Sequence, residues 1–289
     1  MHDSATENGP DITSSVLYTD ARNGIDFLKR AFGFAENLLV PDGRGGLAHV
    51  ELRLGRSLLM LGDARPERVD FKTPRDVGAV TGAIYIATSE VDALFERATA
   101  AGAAVVAKPF DTDYGARNFT VRDAEGNVWS AGTYHPTADA PGGADAGLEG
   151  PPEIYAATRY ADAKAAIAFL KNAFGFEEHY VVPDEGDGIA HAQLSYGTSL
   201  FMLSSLARDT YGMKTPRQLG GVNTLGLYLV VRDPDAHYAR AKAAGAEIVD
   251  GPADTNYGSR NYVARDPEGF VWTFGTYRPQ IVRATSPAS

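Results

Sequence analysis

The stretch IDFLKRAFGF at Ile25–Phe34 returns as IAFLKNAFGF at Ile167–Phe176. A second stretch, at Tyr114–Tyr134, returns at Tyr257–Tyr277 with thirteen of twenty-one positions identical. The offsets, 142 and 143 residues, are close to half of the 289-residue chain. Self-similarity at this spacing indicates that one unit of domain size occurs twice.

The segment between the two copies is rich in proline, glycine and alanine and has no periodic apolar face, which is typical of a linker. The terminal segments, Met1–Pro10 and Ile281–Ser289, are predicted to be frayed. The predicted organisation is an N-terminal domain over 11–135, a linker over 136–152 and a C-terminal domain over 153–280.

Each copy divides again into two units with the same order of elements. In the first unit, Asp20 is predicted to cap a helix and Gly33 to end it, because apolar residues recur between them at helical spacing. One apolar run precedes this helix and three turn-bounded runs follow it. The second unit repeats the pattern around a helix that begins at Ser89 and stops at Gly102. The sequence therefore predicts an α+β protein built from four βαβββ modules.

Paired βαβββ modules, the helix phrase IDFLKRAFGF and the hairpins RDAEGNVW and RDPEGFVW resemble the vicinal oxygen chelate superfamily, which includes glyoxalase I, bleomycin-resistance proteins and extradiol dioxygenases. The resemblance covers both copies. It implies two tandem domains whose mixed sheets curl into cups, with helices outside and a ligand inside. Because this superfamily contains enzymes and binding proteins, function has to be argued from the site.

Enzymes of this superfamily hold a divalent cation with His, Glu or Gln side chains from four strands. At the matching positions only one carboxylate is present, and Gln193 is the next best donor. Because such a centre needs at least two or three side-chain donors, we predict no metal and no other cofactor. The eight positions are Thr13, Tyr155, Glu51, Gln193, Ala83, Gly226, Ser130 and Thr273.

Two histidines stand next to these positions in phase with the strand. His49 precedes Glu51 by two residues and His191 precedes Gln193 by two, so each pair is predicted to share one face. Each histidine is interpreted as a polar group inside a wet pocket, with metal ligation as the alternative.

Two arginines are predicted to face the cups. If a four-residue turn, Asp123–Gly126, closes a hairpin, then Phe119 opposes Ser130 and Arg117 points inward. The second copy gives Arg260 and Tyr262, with Thr273 opposite. Either each arginine clamps an anionic or carbonyl group of a ligand, or it forms an internal ion pair with Glu51 or a turn carboxylate.

Composition excludes several classes of protein. Lys and Arg number 27 against 37 Asp and Glu, for a net charge of −10, which argues against a nucleic-acid surface. There is no cysteine, so disulfides and thiolate chemistry are excluded. No apolar run has the length of a membrane span and no signal peptide is visible, so a cytoplasmic protein with no membrane partner is predicted.

The predicted function is metal-free binding of a small organic molecule, possible candidates being an antibiotic or an aromatic metabolite, as in bleomycin-resistance proteins. One alternative is a glyoxalase-like lyase, isomerase or dioxygenase that uses Glu51 and His49 as its catalytic residues; the other is a regulatory or interaction module. The protein is expected to be a monomer with intramolecular domain pairing or a homodimer. The predicted ligand-binding residues are His49, Glu51, Arg117, Phe119, Ser130, His191, Gln193, Arg260, Tyr262 and Thr273.

Overall fold

The computed structural model describes residues 6–65, 70–136 and 152–282. Most of the predicted linker, residues 137–151, and the outer parts of both tails lie outside these ranges. Within them the chain forms four βαβββ modules and is α+β, as predicted. In the part of the chain that is described, no helix is long and apolar enough to cross a bilayer.

The elements are as follows. Module 1 contains β2 (Ile12–Tyr18), α1 (Ala21–Phe32), β3 (Ala35–Pro41), β4 (Leu47–Leu54) and β5 (Ser57–Asp63). The short helix α2 (Pro74–Val77) leads into module 2, with β6 (Gly82–Ala87), α3 (Val91–Ala100), β7 (Ala104–Asp111), β8 (Arg117–Arg122) and β9 (Val128–Gly132). Module 3 contains β10 (Glu153–Tyr160), α4 (Ala163–Phe169), β11 (Glu177–Pro183), β12 (Ile189–Tyr196) and β13 (Ser199–Ser205). Module 4 contains β14 (Gly226–Val230), α5 (Pro234–Ala243), β15 (Glu247–Asp254), β16 (Arg260–Arg265) and β17 (Val271–Gly275). Two short strands, β1 (Thr6–Asn8) and β18 (Gln280–Val282), flank the modules.

Helix α1 begins and ends at the predicted residues. The Asp20 carboxylate accepts the Arg22 amide at 2.9 Å and so satisfies one of the free amides of the first turn. Gly33 ends the helix with a φ of 79°, a backbone conformation that favours glycine. The buried face of the helix carries Ile25, Leu28 and Phe32.

The sheets combine modules from different repeats. Sheet I joins modules 4 and 1 in the strand order β15-β16-β17-β14-β2-β5-β4-β3. Sheet II joins modules 3 and 2 in the order β11-β12-β13-β10-β6-β9-β8-β7. The central pairs, β14 with β2 and β10 with β6, are antiparallel. Glu51 therefore shares a sheet with Thr273 and not with Ser130, which answers a question that the sequence leaves open.

Each sheet has a helix-covered face and an opposite, inner face. On the helix-covered faces the two tryptophans are fully buried core residues. Trp129 packs against Phe32 with ring centroids 5.1 Å apart, and Trp272 packs against Phe174 at 5.5 Å. Each indole also donates to a buried turn aspartate, Trp129 to Asp123 at 3.0 Å and Trp272 to Asp266 at 3.1 Å. One continuous core thus fixes the outer sides of both sheets and leaves their inner faces for other uses.

The chain ends near sheet I do not fray over their described parts, so that prediction was wrong for them. β1 pairs with β18 in an antiparallel ladder, Glu7 opposite Ile281. The amide group of Asn37 on β3 binds this ladder, donating to the Gln280 carbonyl at 2.8 Å and accepting from the Val282 amide at 2.9 Å. Pairing with each other and with Asn37 supplies the hydrogen bonds that isolated tails would lack.

Candidate functional site

A cavity of about 630 Å³ lies on the inner face of sheet II. Its wall combines five tyrosines and two methionines with nine polar or charged side chains, one of which is the carboxylate of Asp113. Among the lining residues are Tyr85, Tyr114, Tyr134, Tyr211, Met202, Met213, Asn118, Thr120, Ser130, Arg159, His191, Ser204 and Arg208. Strands β6, β8 and β9 of module 2 and strands β10 to β13 of module 3 contribute most of these positions, so neither repeat forms the cavity alone.

The register of the β8–β9 hairpin differs by one residue from the predicted register. Asp123 pairs with Asn127 and closes a three-residue loop that contains Gly126 at a φ of 87°. Thr120 therefore opposes Ser130, and Phe119 opposes Ala131. Because side chains alternate along a strand, this single step moves a whole row of side chains to the other face.

Four predicted ligand-binding residues consequently lie on the helix-covered faces, and their predicted inward orientation was wrong. The Arg117 guanidinium forms a bidentate pair with Asp92 on α3, at 2.7 and 2.8 Å. Phe119 packs against Phe95 of the same helix, with ring centroids 5.4 Å apart.

The second copy shows the same arrangement. Arg260 pairs with Asp235 on α5 at 2.6 and 2.8 Å. Tyr262 is fully buried and hydrogen-bonds the Nδ1 atom of His237 on α5. The interpretation of each arginine as an internal ion pair therefore holds, but its partners are a helix carboxylate and a carboxylate at the end of the neighbouring strand, Asp111 for Arg117 and Asp254 for Arg260, and not Glu51.

Ser130, His191 and Gln193 do lie on the inner face of sheet II. Thr120 Oγ1 and Ser130 Oγ are 2.9 Å apart, and both residues line the cavity. Gln193 Nε2 hydrogen-bonds the hydroxyl of Tyr134 and lies 3.1 Å from His191 Nε2, as expected for residues in phase on one strand. The buried Gln193 Oε1 atom has no hydrogen-bond partner within the described ranges.

His191 is held in its neutral form. Burial lowers the pKa of His191 to about 4, and the charge of Arg159 acts in the same direction. A neutral imidazole both donates and accepts one hydrogen bond, so His191 is a polar anchor in the cavity at neutral pH.

Arg159 is a lining residue that the sequence analysis missed. It lies on β10, two and four residues after the inner-face positions Ala157 and Tyr155, and its guanidinium hydrogen-bonds Ser204 Oγ. The signal for it in the sequence is the strand period of two, which places Arg159 on the same face as Tyr155 and Ala157. The corresponding residue in sheet I is the apolar Leu17. Tyr134 and Tyr277 were also missed as site residues; both belong to the repeated GTY motif.

The inner face of sheet I is organised around Glu51, which is only 1% exposed. Its carboxylate accepts from Tyr277 Oη at 2.7 Å and from Asn37 Nδ2 at 2.9 Å, and it lies 3.2 Å from His49 Nε2. Burial alone would raise the pKa of Glu51, but the bonds from His49, Tyr277 and Asn37 outweigh burial and lower it. Thr273 is adjacent to Tyr228 on the same inner face.

The side chains present do not fit the divalent metal centre that the family resemblance implies. In sheet I the only carboxylate at the matching positions, Glu51, is already bound by hydrogen-bond donors of this chain. In sheet II the matching positions carry Tyr155, Gln193, Ala83 and Ser130, of which only the glutamine amide is a reasonable ligand. Over residues 6–65, 70–136 and 152–282, no three His, Cys, Asp or Glu side chains are grouped closely enough to hold a metal ion.

Comparison with known proteins agrees with this fold. The profile of the glyoxalase/bleomycin resistance protein/dioxygenase superfamily matches residues 13–131 and 155–274. An uncharacterized protein of Mycobacterium bovis is 36% identical over 125 residues, which is 43% of this chain and 82% of that protein. CFP32 of Mycobacterium bovis, provisionally named a glyoxylase, is 25% identical over 199 residues, 68% of this chain and 69% of that protein.

Among solved structures, glyoxalase I from Zea mays superposes with a TM-score of 0.67, covering 93% of this chain and 92% of that one. Its sequence identity of 16% makes this a similarity of fold alone. The profile match extends over both repeats and most of the chain. The chain belongs to the glyoxalase/bleomycin resistance protein/dioxygenase superfamily.

Proposed function

We propose that this protein binds one small organic molecule in the sheet-II cavity, without a divalent metal, and sequesters it in the manner of the bleomycin-resistance branch of its superfamily. The observation that carries the proposal is the cavity itself. Its volume of about 630 Å³ lies within the roughly 300–1,000 Å³ typical of small-molecule sites. Its wall combines aromatic and apolar side chains, which make up just over half of the lining residues, with polar and charged groups that could orient a ligand.

The aromatic side chains favour a flat ligand. Tyr114 and Tyr134 stand edge to face at the cavity, with ring centroids 6.2 Å apart, and Tyr134 stands edge to face with His191 at 5.8 Å. Hydrogen bonds fix the orientation of these rings: Asn118 Nδ2 donates to Tyr114 Oη at 3.0 Å, and Gln193 binds Tyr134. Rings held in place lose little conformational entropy when a ligand stacks on them, which favours an aromatic antibiotic or metabolite.

The enzymatic alternative has less support from the geometry. Glu51 and His49 are adjacent, as predicted, but both lie on sheet I and outside the sheet-II cavity wall. A general base works best with a pKa near the working pH, whereas the pKa of Glu51 is lowered from its ordinary value. Its buried carboxylate, bound by Tyr277 and Asn37, has the surroundings of a structural group.

A ligand-detected NMR screen with drug-sized aromatic compounds, antibiotics included, tests the proposal. The variant Ala157→Leu places a larger side chain in the cavity wall, and Ser15→Leu makes the same change at the equivalent position of sheet I. We expect compounds that bind with a stoichiometry of one, lose binding in Ala157→Leu and keep it in Ser15→Leu. Circular dichroism confirms that both variants are folded. A screen without binders, or binders indifferent to Ala157→Leu, would contradict the proposal.

A further inference from the structure

From the unpaired guanidinium on β10 we infer that the ligand of the sheet-II cavity is an organic anion, a carboxylate or phenolate on a flat body, and that Arg159 binds its charged group. This inference rests on the proposed function, because it names the chemical class of molecule that the same cavity binds. The net charge of the protein is −10, and this overall charge by itself would attract cationic ligands and not anionic ones.

Arg159 has no carboxylate partner in the part of the chain that the structure describes. Its one hydrogen bond goes to the neutral hydroxyl of Ser204. Within the described residues, no Asp or Glu oxygen lies within ion-pair distance of its guanidinium. Asp209 acts on it at longer range, but the Asp209 oxygens already accept the amides of Tyr211 at 3.1 Å and Met213 at 2.8 Å.

The other cationic groups near the cavity are already compensated. Arg208 pairs with Asp184 at 2.7 Å. Arg122 donates to the carbonyl oxygens of Gly126, at 2.8 Å, and Tyr211. Arg159 is therefore the one cavity arginine, among the described residues, whose hydrogen-bonding is limited to a neutral hydroxyl.

Burial makes this unpaired charge costly in the free protein. Arginine stays protonated in proteins, so it has to find anionic or polar partners when it leaves water. Arg159 is only partly exposed, and burial lowers its pKa. A bound carboxylate would supply the missing partner in the bidentate geometry that guanidinium groups favour.

The internal repeat supplies a comparison. The residue equivalent to Arg159 in sheet I is Leu17, and the residue equivalent to the neutral Gln193 is the anionic Glu51. Sheet I thus carries an anion and no cation at these positions, whereas sheet II carries a cation and no anion. The two inner faces have diverged in charge at these positions. The exposed carboxylate of Asp113 also lines the sheet-II cavity, so an anionic ligand would be attracted to the guanidinium of Arg159 and not to the cavity as a whole.

Three probes of one shape test the inference: 2-naphthoate, neutral 2-naphthamide and cationic 2-naphthamidine, titrated calorimetrically into the intact protein at fixed ionic strength. We expect 2-naphthoate to bind about ten- to a hundredfold more tightly than 2-naphthamide, as a charge-assisted pair in a partly dry site allows. In Arg159→Leu, which copies the residue of sheet I, the preference should disappear. Arg159→Lys should retain part of it, and Arg22→Leu, which removes an exposed cation on α1 outside the cavity, should retain all of it.

Each other outcome decides something. If the naphthamide binds the wild type as tightly as the naphthoate, or if Arg159→Leu keeps the preference, the anion inference is wrong while binding in the cavity stands. Tightest binding of 2-naphthamidine would also overturn it. Failure of all three probes to bind would count against the anion inference and the proposed function together.

Discussion

The hydroxyl of Tyr277, near the end of module 4, donates a 2.7 Å hydrogen bond to the carboxylate of Glu51 in module 1. The equivalent residues of the other two modules, Tyr134 and Gln193, are also hydrogen-bonded to each other. On each inner face, therefore, a tyrosine of one repeat is hydrogen-bonded to a residue of the other repeat, which lies on β4 in sheet I and on β12 in sheet II. In sheet I the tyrosine donates to the anionic Glu51 carboxylate, whereas in sheet II the tyrosine Oη accepts from the neutral Gln193 amide, so the two contacts differ in energy.

Removal of the Tyr277 hydroxyl and, separately, of the Tyr134 hydroxyl should destabilise the protein by different amounts. We expect Tyr277→Phe to lower the free energy of unfolding by about 1.5–3 kcal/mol, the range for hydrogen bonds to charged groups. Its counterpart Tyr134→Phe should cost about 0.5–1.5 kcal/mol, because its partner is a neutral amide. Urea denaturation at pH 7 measures both.

The cost of Tyr277→Phe should also depend on pH. The pKa of Glu51 is lowered in the folded protein from its ordinary 4.5, so its stabilising contribution is present above that value and is lost as the pH falls through the folded pKa. The gap between the wild type and Tyr277→Phe should therefore narrow as the pH falls below 4.5 and through the lowered pKa of Glu51. Equal costs for the two tyrosines, or a gap independent of pH, would contradict an ionised Glu51.

Division of the chain in the linker tests the exchange of modules between sheets. The central ladders join the repeats, with Thr13 opposite Tyr228 in sheet I and Tyr85 opposite Tyr155 in sheet II. A fragment 1–143 alone leaves one edge of each central strand, β2 and β6, without its partner from the other repeat, and exposed strand edges pair with other chains. We expect this fragment to dimerise alone and to form a 1:1 complex with fragment 144–289 when the two are co-expressed, as measured by light scattering.

A stable, native-like monomer of either fragment would show that one repeat can complete its own cup. The uncut protein is the control, since its repeats are already tethered.

The sequence predicted the elements well because duplication doubles every local signal. Asp20, Gly33 and the repeated helix phrase place α1 and α4 from helix capping and periodicity alone. The sequence could not predict which modules share a sheet, because β6 could pair along its edge with β2 of its own repeat as well as with β10 of the other repeat. The choice depends on long-range contacts such as the hydrogen bond between Tyr18 and Asp123, which joins helix-side surfaces and not sheet edges.

The error in the orientation of Arg117 has a different cause. A loop of three residues and a loop of four residues are both compatible with DAEGN, and a change of one residue exchanges the two faces of β8. Arg159 was missed because the other repeat carries Leu17 at the equivalent position, so no repeated signal marks it as a site residue.

The corrected faces lead to opposite expectations for two neighbouring residues. Arg117→Ala should leave the dissociation constant of 2-naphthoate unchanged within about twofold, because its guanidinium lies against α3 with Asp92. Ser130→Leu should weaken binding about tenfold or more, because the larger side chain occupies cavity space. Calorimetry on both variants, with thermal unfolding as a check of folding, measures the difference. Loss of 2-naphthoate binding in Arg117→Ala would instead support the sequence-based prediction that Arg117 faces the ligand.

Titration of His191 tests the charge of Arg159 inside the cavity, first in the free protein and then with a bound anion. Its folded pKa, lowered to about 4 by burial and by Arg159, lies below the ordinary 6.5 of histidine. As the pH falls from 6.5 towards 4, His191 binds a proton in the unfolded chain but stays neutral in the folded chain. The free energy of unfolding therefore decreases over this pH range. We expect Arg159→Leu to raise the pKa of His191 and to reduce that loss of stability.

His237 is the internal control in the same NMR titration. Its pKa is also about 4, but burial and Arg240 lower it, so Arg159→Leu should leave it unchanged. Because an anion in the cavity offsets the charge of Arg159, 2-naphthoate should raise the pKa of His191 in the wild type, and a fall in that pKa would contradict binding of the carboxylate beside Arg159.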